Sequence, residues 1–258
     1  MTGDGIRGRE FPLRMRGYEP WPVKDLLRLL EAGFPPAIFT PRPTFARVMR
    51  GYDPAAVDRF MDTLPGDSTQ ERSPLGPTNP WQVAYGEAEP QDRPDPQAWL
   101  RVSDFPGTRL RISGWPSSKI LGSYGDVLMT RRRITTLTLG ASGQVLRIDG
   151  HQKQIVDAGT SDPILRWIGR VRRHQARAVV LQPGQRWLRF SVQGTRFRNA
   201  VMTALDESDT EVLWLRQMER NVMEAVVSPT CNLTAEILCL IELAASWLHA
   251  YYNGDDSW

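Results

Sequence analysis

The sequence is short of the residues that most often announce a chemistry. Its 258 residues include two cysteines and three histidines. Cys231 and Cys239 lie close together near the end of the chain, one before and one inside a predicted helix. That placement excludes a disulfide framework and a metal quartet, and leaves two reduced thiols as the expectation. His151, His174 and His249 are scattered, and there is no Gly-x-Ser-x-Gly elbow, Walker loop, dinucleotide fingerprint or metal-ligand spacing. The chain is therefore expected to be non-catalytic, with no cofactor and no metal. No apolar run reaches the ~18 residues that a membrane-spanning helix needs, and Met1 to Glu10 carry charge and glycine where a signal peptide needs an apolar stretch. A cytoplasmic protein is expected, peripheral on the inner face of the cell membrane if it meets lipid.

Lysine is also scarce. Lys24, Lys119 and Lys153 stand against 29 arginines among the 32 basic residues, a skew that a GC-rich bacterial genome produces without selection. Arginine still has consequences where it clusters, because its planar fork pairs with phosphate oxygens and its charge does not titrate. Residues 1–66 carry 10 basic and 8 acidic groups, 67–97 carry 2 and 6, and 98–258 carry 20 and 15. The excess positive charge belongs to the last segment.

What is present begins with a repeat. Phe11 to Leu30 reads FPLRMRGYEPWPVKDLLRLL and Phe45 to Leu64 reads FARVMRGYDPAAVDRFMDTL, 34 positions apart. In the second copy Asp53 suits an N-cap and Pro54 the first helical position, and Val57, Phe60, Met61 and Leu64 follow at i, i+3, i+4 and i+7. Val23, Leu26, Leu27 and Leu30 make the same stripe in the first copy, behind the weaker cap Glu19. Gly17 and Gly51 permit a tight bend ahead of each helix, which puts Met15-Arg16 and Met49-Arg50 at exposed loop tips.

Seven prolines and six acids between Pro65 and Pro96 predict a flexible or partly extended linker, in which Trp81 and Tyr85 are candidates to dock on a neighbouring surface. Beyond it the pattern turns to short runs punctuated by Gly and Pro. The expected strands are 99–103, 109–113, 127–131, 135–139, 145–148, 178–181, 187–192, 201–205, 212–216 and 223–227. Gly143 and 207–210 mark hairpin turns, and 164–175 suggests a short helix more than a strand. Leu233 to Tyr252 reads as a helix apolar nearly all round, capped by Asn232 or Thr234, and such a helix must be buried. A carboxylate at its centre, Glu242, argues against a membrane span.

The fold class expected from these runs is mainly β with α: a closed antiparallel β-barrel around an apolar C-terminal helix, preceded by a small helical repeat module. The domains are 1–66, a linker 67–97, and 98–258.

Two resemblances add to that reading. Thr44-Phe45, Met49-Arg50-Gly51-Tyr52-Asp53, Val57-Asp58 and Phe60-Met61, with Thr40-Pro41 upstream, resemble the N-terminal domain of DivIVA, the bacterial division-site and cell-pole protein. The resemblance implies that an apolar residue and an arginine at the loop tip touch membrane, here Met49-Arg50 and Met15-Arg16. It departs from that family in lacking the bulkier tip residue and the oligomerising coiled coil. The second module, from Trp99 to Asp255, resembles the tubby C-terminal-like superfamily, which includes the LURP-one-related proteins and phospholipid scramblases. The match rests on strand order, Ala204-Leu205-Asp206, Val226-Val227-Ser228-Pro229 and the terminal helix, and it implies a barrel threaded by that helix.

Candidate chemistry is thin. Between Pro163 and Leu205 nine arginines occur with no acid: Arg166, Arg170, Arg172, Arg173, Arg177, Arg186, Arg189, Arg196 and Arg198. They form either an anion-binding surface or an ordinary polar barrel exterior. Arg131, Arg132 and Arg133 pose the same choice. Cys239, Glu242, Ser246 and His249 share one side of the terminal helix, spread too far along its axis for one ion, and predict a narrow polar stripe satisfied by arginine or hydroxyl groups of the barrel wall. Asp206, Glu207 and Asp209 fall in a predicted turn and read as solvated surface. The partner expected first is anionic phospholipid or a division or polarity protein. A pure protein-interaction module and a lipid-binding or scramblase-like carrier stand as rivals, and nucleic acid ranks behind them because the basic residues lack interleaved aromatics. The oligomeric state stays open.

Overall fold

The structure is a computed structural model, and it describes residues 9–39, 42–64, 80–85, 98–114, 118–133, 135–172, 175–182, 186–195, 198–219 and 221–253. Two compact units divide the chain, Met1–Glu87 and Ala88–Trp258.

In the first unit each copy of the repeat folds as a short strand followed by a helix: β1 (Leu13–Tyr18) and α1 (Pro20–Glu31), then β2 (Arg47–Tyr52) and α2 (Pro54–Thr63). Proline opens both helices, where its missing N–H costs no hydrogen bond. Asp53 stands at the N-cap of α2 but its side chain makes no capping bond. Its carboxylate leans instead toward Arg14, with Oδ2 3.6 Å from Nε. The apolar stripes are buried as predicted at Val23, Leu26, Leu27 and Leu30 in α1 and at Val57 and Phe60 in α2. Residues 65–79 and 86–97 of the predicted linker lie outside the described residues. Between them Pro80–Tyr85 forms a one-turn helix, α3, and Trp81 and Tyr85 do dock. The Trp81 ring stands 6.1 Å from that of Phe45 and 5.2 Å from that of Tyr85, whose hydroxyl donates to Asp25 of α1.

The second unit is a closed antiparallel barrel of twelve strands. In chain order these are β3 (Thr108–Ser113), β4 (Lys119–Leu121), β5 (Val127–Arg133), β6 (Thr136–Leu139), β7 (Val145–Asp149), β8 (Gln154–Asp157), β9 (Pro163–Arg172), β10 (Gln175–Leu181), β11 (Trp187–Thr195), β12 (Arg198–Leu205), β13 (Glu211–Glu219) and β14 (Val222–Val227). Neighbours in sequence pair around the ring, and β14 closes on β3. Nine of the ten expected strands match observed ones.

Two expectations fail. Trp99 to Ser103 belongs to a helix, α4 (Ala98–Asp104), because Ala98 and Val102, four residues apart, bury one helical face against Val201, Trp214 and Val226 on the outside of the barrel. The segment 164–175, expected as a helix, forms most of β9 and the start of β10. Leu165 and Trp167 point into the barrel core and Gly169 takes a φ of 76°, so the apolar spacing that suggested a helix comes from a strand buried on both faces.

The terminal helix α5 (Ala235–Asn253) fills the barrel, as its nearly all-apolar surface requires. Its residues 238 to 248 are all buried, and they join inward residues of β3 through β14 in one core. Trp247 meets Trp167 of β9 and Phe190 of β11 edge to face, while Glu242, toward another part of the wall, reaches Ser118 and Arg131 of β5.

Candidate functional site

The repeat builds the most distinctive surface of the molecule. Along β1 and β2 the register runs in opposite senses: Leu13 with Tyr52, Arg14 with Gly51, Met15 with Arg50, Gly17 with Val48 and Tyr18 with Arg47, and Tyr18 also with Tyr52. These pairs are related by exchange of the two copies. Shifting each member by 34 positions turns Leu13–Tyr52 into Arg47–Tyr18, and Arg14–Gly51 into Val48–Gly17. The hydrogen bonds obey the same exchange, since Glu19 N donates to Ala46 O at 2.8 Å and Asp53 N donates to Pro12 O at 2.7 Å. So do the rings, with Phe11 5.6 Å from Tyr52 and Phe45 5.4 Å from Tyr18. One chain thus contains an internal pseudo-two-fold in which each copy completes the other, the arrangement an isologous dimer makes from two chains.

Glycine makes the crossing possible. A Cβ on Gly17 would lie 2.3 Å from the Gly51 carbonyl carbon, and one on Gly51 would lie 2.2 Å from the Tyr18 oxygen. The sequence assigns these glycines to a bend, and the structure gives them a different task, close approach of two backbones. The bend itself falls on Arg16, whose φ is 55°.

All four residues predicted to sit at loop tips are exposed, but Met15-Arg16 lie within β1 and Met49-Arg50 within β2 rather than in loops, because the two copies pair there as strands. Met15 and Met49 expose 72% and 78% of their surface, far above the norm for a large apolar side chain, and Arg16 and Arg50 stand beside them. Arg14 and Arg47, also exposed, extend the basic surround, and the Arg47 guanidinium lies 5.9 Å from the Tyr18 ring centre. Leu13 adds a further exposed apolar side chain. Among the described residues neither Arg16 nor Arg50 makes a hydrogen bond or ion pair. Methionine thioethers flanked by free guanidinium groups can enter an apolar medium while meeting anions at its surface.

Three of the nine arginines predicted as a surface have described side chains. Arg186 is exposed, Arg166 is half-buried, and Arg189 is held by Asp209 at 2.8 Å. Arg170 and Arg177 pair across β9 and β10, Arg172 pairs with Gln175, and Arg198 pairs with Thr195; the side chains of these four lie outside the described residues, as do Arg173 and Arg196 entirely. Arg131 is a correction. Sequence groups it with Arg132 and Arg133 as surface, yet its side chain is only 1% exposed and its Nη1 lies 2.9 Å from Glu242 Oε1 and 3.0 Å from Ser246 Oγ. The inward parity of β5 at Met129 and Arg131 puts it there.

Glu242 is the hub of that interior cluster. Ser118 Oγ donates to both carboxylate oxygens, at 3.1 and 2.9 Å. Burial pushes its carboxyl up from the ordinary range, while Arg131 and the Ser118 hydroxyl pull it back. Cys239, one turn away, is wholly buried, and burial together with Glu242 pushes its thiol up to about 12. Such a thiol is inert as a nucleophile near neutral pH. The predicted satisfaction of the polar stripe from the barrel wall thus holds for Glu242 and Ser246. His249 lies half-buried near the end of α5.

The turn acids are structural. Asp206 accepts from the backbone N–H of Ser208 and Thr210, Glu207 accepts from Trp187 N, and Asp209 pairs with Arg189. Among the described residues no three His, Cys, Asp or Glu side chains gather as a metal site, and no helix is long and apolar enough to cross a membrane. Compared with known proteins, the chain matches no family model, no curated protein and no solved structure.

Proposed function

We propose that this protein is a non-enzymatic adaptor that attaches to the anionic inner face of a bacterial membrane through the crossed tip of its first unit, in the setting of a division or polarity complex. The observation that carries this reading is the two methionines, one on each of the paired strands β1 and β2 and each about three-quarters exposed, with the exposed Arg14, Arg16, Arg47 and Arg50 on the same two strands. Large apolar side chains left this exposed mark a surface that another apolar medium can receive. The resemblance of this motif to the DivIVA N-terminal domain points the same way.

Magnitudes are adequate for one molecule. Each arginine near an anionic leaflet contributes about 1 kcal/mol. Burying a methionine side chain contributes roughly 1.5–3 kcal/mol. Four arginines and two methionines therefore reach roughly 7–10 kcal/mol, enough for micromolar attachment.

The barrel, similar in plan to the tubby-like proteins, serves in this reading as a body that binds lipid or protein on its outer surface. Its axis is occupied by α5, which supports an outward-facing role over that of a carrier. A bound lipid mass in native mass spectrometry of the purified protein would move the reading to a carrier.

Liposome flotation tests the proposal. Full-length protein is expected to float with phosphatidylglycerol vesicles and to bind less as salt rises, and Met15→Ala, Arg16→Ala, Met49→Ala and Arg50→Ala combined should abolish flotation. Failure of the wild type to float, or flotation unchanged in the variant, overturns it and leaves a protein-docking module.

A further inference from the structure

We infer that the tip is one composite site that takes a phospholipid carrying two phosphodiester groups, of the cardiolipin type. The inference rests on the membrane reading above and specifies its ligand.

Arg50 is paired directly with Met15, and Arg16 follows Met15 in the chain. Paired residues on adjacent strands stand about 5 Å apart and consecutive Cα atoms about 3.8 Å apart, so the stems of Arg16 and Arg50 rise from points roughly 6–7 Å from each other. The two come from different copies, related by the internal pseudo-two-fold, and each has a methionine of the same copy next to it in sequence. No acidic side chain described in the structure is paired with either. Asp53, which follows β2, is engaged with Arg14. Arg16 is moreover held at a φ of 55°, a left-handed conformation in which a residue with a Cβ persists only when its surroundings impose it. The crossing therefore sets two unpaired arginines on neighbouring backbone positions, one of them in a left-handed conformation.

A ligand answering that geometry has two anionic groups in one molecule and apolar chains on both sides. Guanidinium forks bind phosphate oxygens in two-point contacts. A lipid with one phosphate satisfies one fork and leaves the other without an anion. A lipid with two phosphates joined through a short linker satisfies both at once, with its chains beside Met15 and Met49. The second contact then forms within the first complex rather than by a separate encounter. Monophosphate lipids can still reach both forks by lateral diffusion, which keeps the gain modest.

The test uses full-length protein and two vesicle sets in phosphatidylcholine, one with cardiolipin and one with twice that mole fraction of phosphatidylglycerol, so that phosphate count is equal. Binding to cardiolipin vesicles is expected to be tighter by on the order of ten-fold, the low end of what joining two contacts gives. Arg16→Gln and Arg50→Gln should each remove the preference entirely, while each still binds phosphatidylglycerol vesicles measurably. Circular dichroism of these exposed single variants checks that the fold is kept. Equal binding of the wild type to both sets, or a preference that survives either single substitution, overturns the inference and leaves the membrane reading standing. Binding to neither set removes both.

Discussion

The two copies of the repeat share a crossing but differ in what lies behind it. In the first, α1 is buried almost all round: Asp25 is 0% exposed, Arg28 donates to it, and the Tyr85 hydroxyl of α3 donates to it as well. In the second, α2 buries only Val57 and Phe60, with the rest of the helix half-buried or exposed. The positions matching Asp25 and Arg28 are Arg59 and Asp62, 34 residues on, with the charges exchanged. Asp62 pairs with Arg42 at 2.7 Å on the surface, and Arg59 only reaches back to the Ala55 carbonyl. The difference separates two constraints. The crossing needs both copies to be alike, whereas the back of each helix is free to drift, and one has been drawn into a core by a segment that the other copy lacks.

The shared part is the place to break the molecule hardest. Gly17→Val and Gly51→Val each force a branched side chain into backbone less than 2.5 Å away, an overlap that side-chain motion cannot relieve. Each is expected to cost about 3 kcal/mol or more, at the upper end of overpacking, and the two losses should match because the contacts are exchange-related. Urea unfolding followed by near-ultraviolet circular dichroism reads the loss. A glycine that tolerates valine while its counterpart does not would show that the pseudo-two-fold is not what holds the tip.

The divergent part should give unequal losses at matching positions. Asp25→Ala removes the buried carboxylate to which both Arg28 and the Tyr85 hydroxyl donate, which costs about 3 kcal/mol. Arg59→Ala removes an exposed side chain from a helix and should cost less than about 0.5 kcal/mol. Denaturant midpoints of the two variants, at equal slope, check the ratio. Similar losses would mean that α2 is as deeply packed as α1.

How far the sequence foretold all this follows the range of the interactions. The repeat, both proline-opened helices, the exposed Met-Arg tips and the buried terminal helix were legible because each is written within a few turns of chain. The pseudo-two-fold was not, since a repeat announces two similar units without saying that their backbones cross; the paired glycines were the available signal. Arg131 looked like surface because its partner Glu242 lies 111 residues away. The strand β9 looked helical because Ile164, Trp167, Ile168 and Val171 fall at helical spacing, a coincidence that arises when a strand is apolar on both faces. The opposite error at Trp99 to Ser103 has the mirrored cause, a short helix covering apolar residues on the barrel exterior. The strands β4 and β8, three and four residues long, carry too little pattern to be seen at all.

The smallest effect isolates the segment that makes the copies differ. Tyr85→Phe keeps the ring that packs 5.2 Å from Trp81 and removes only the hydroxyl that donates to Asp25. A hydrogen bond to a charged acceptor contributes about 1.5–3 kcal/mol, and Asp25 keeps Arg28, so a loss near 1.5 kcal/mol is expected. In an Asp25→Ala background the same substitution should cost almost nothing, because the acceptor is gone, and the double-mutant cycle then returns a coupling near the single loss. Hydrogen exchange should register the single change along α1 and leave α2 unaffected, since no counterpart of α3 among the described residues packs on the second helix. Full additivity would mean that the Tyr85 hydroxyl and the Asp25 carboxylate act independently, and that α3 is held by its buried apolar residues, Trp81, Val83 and Ala84.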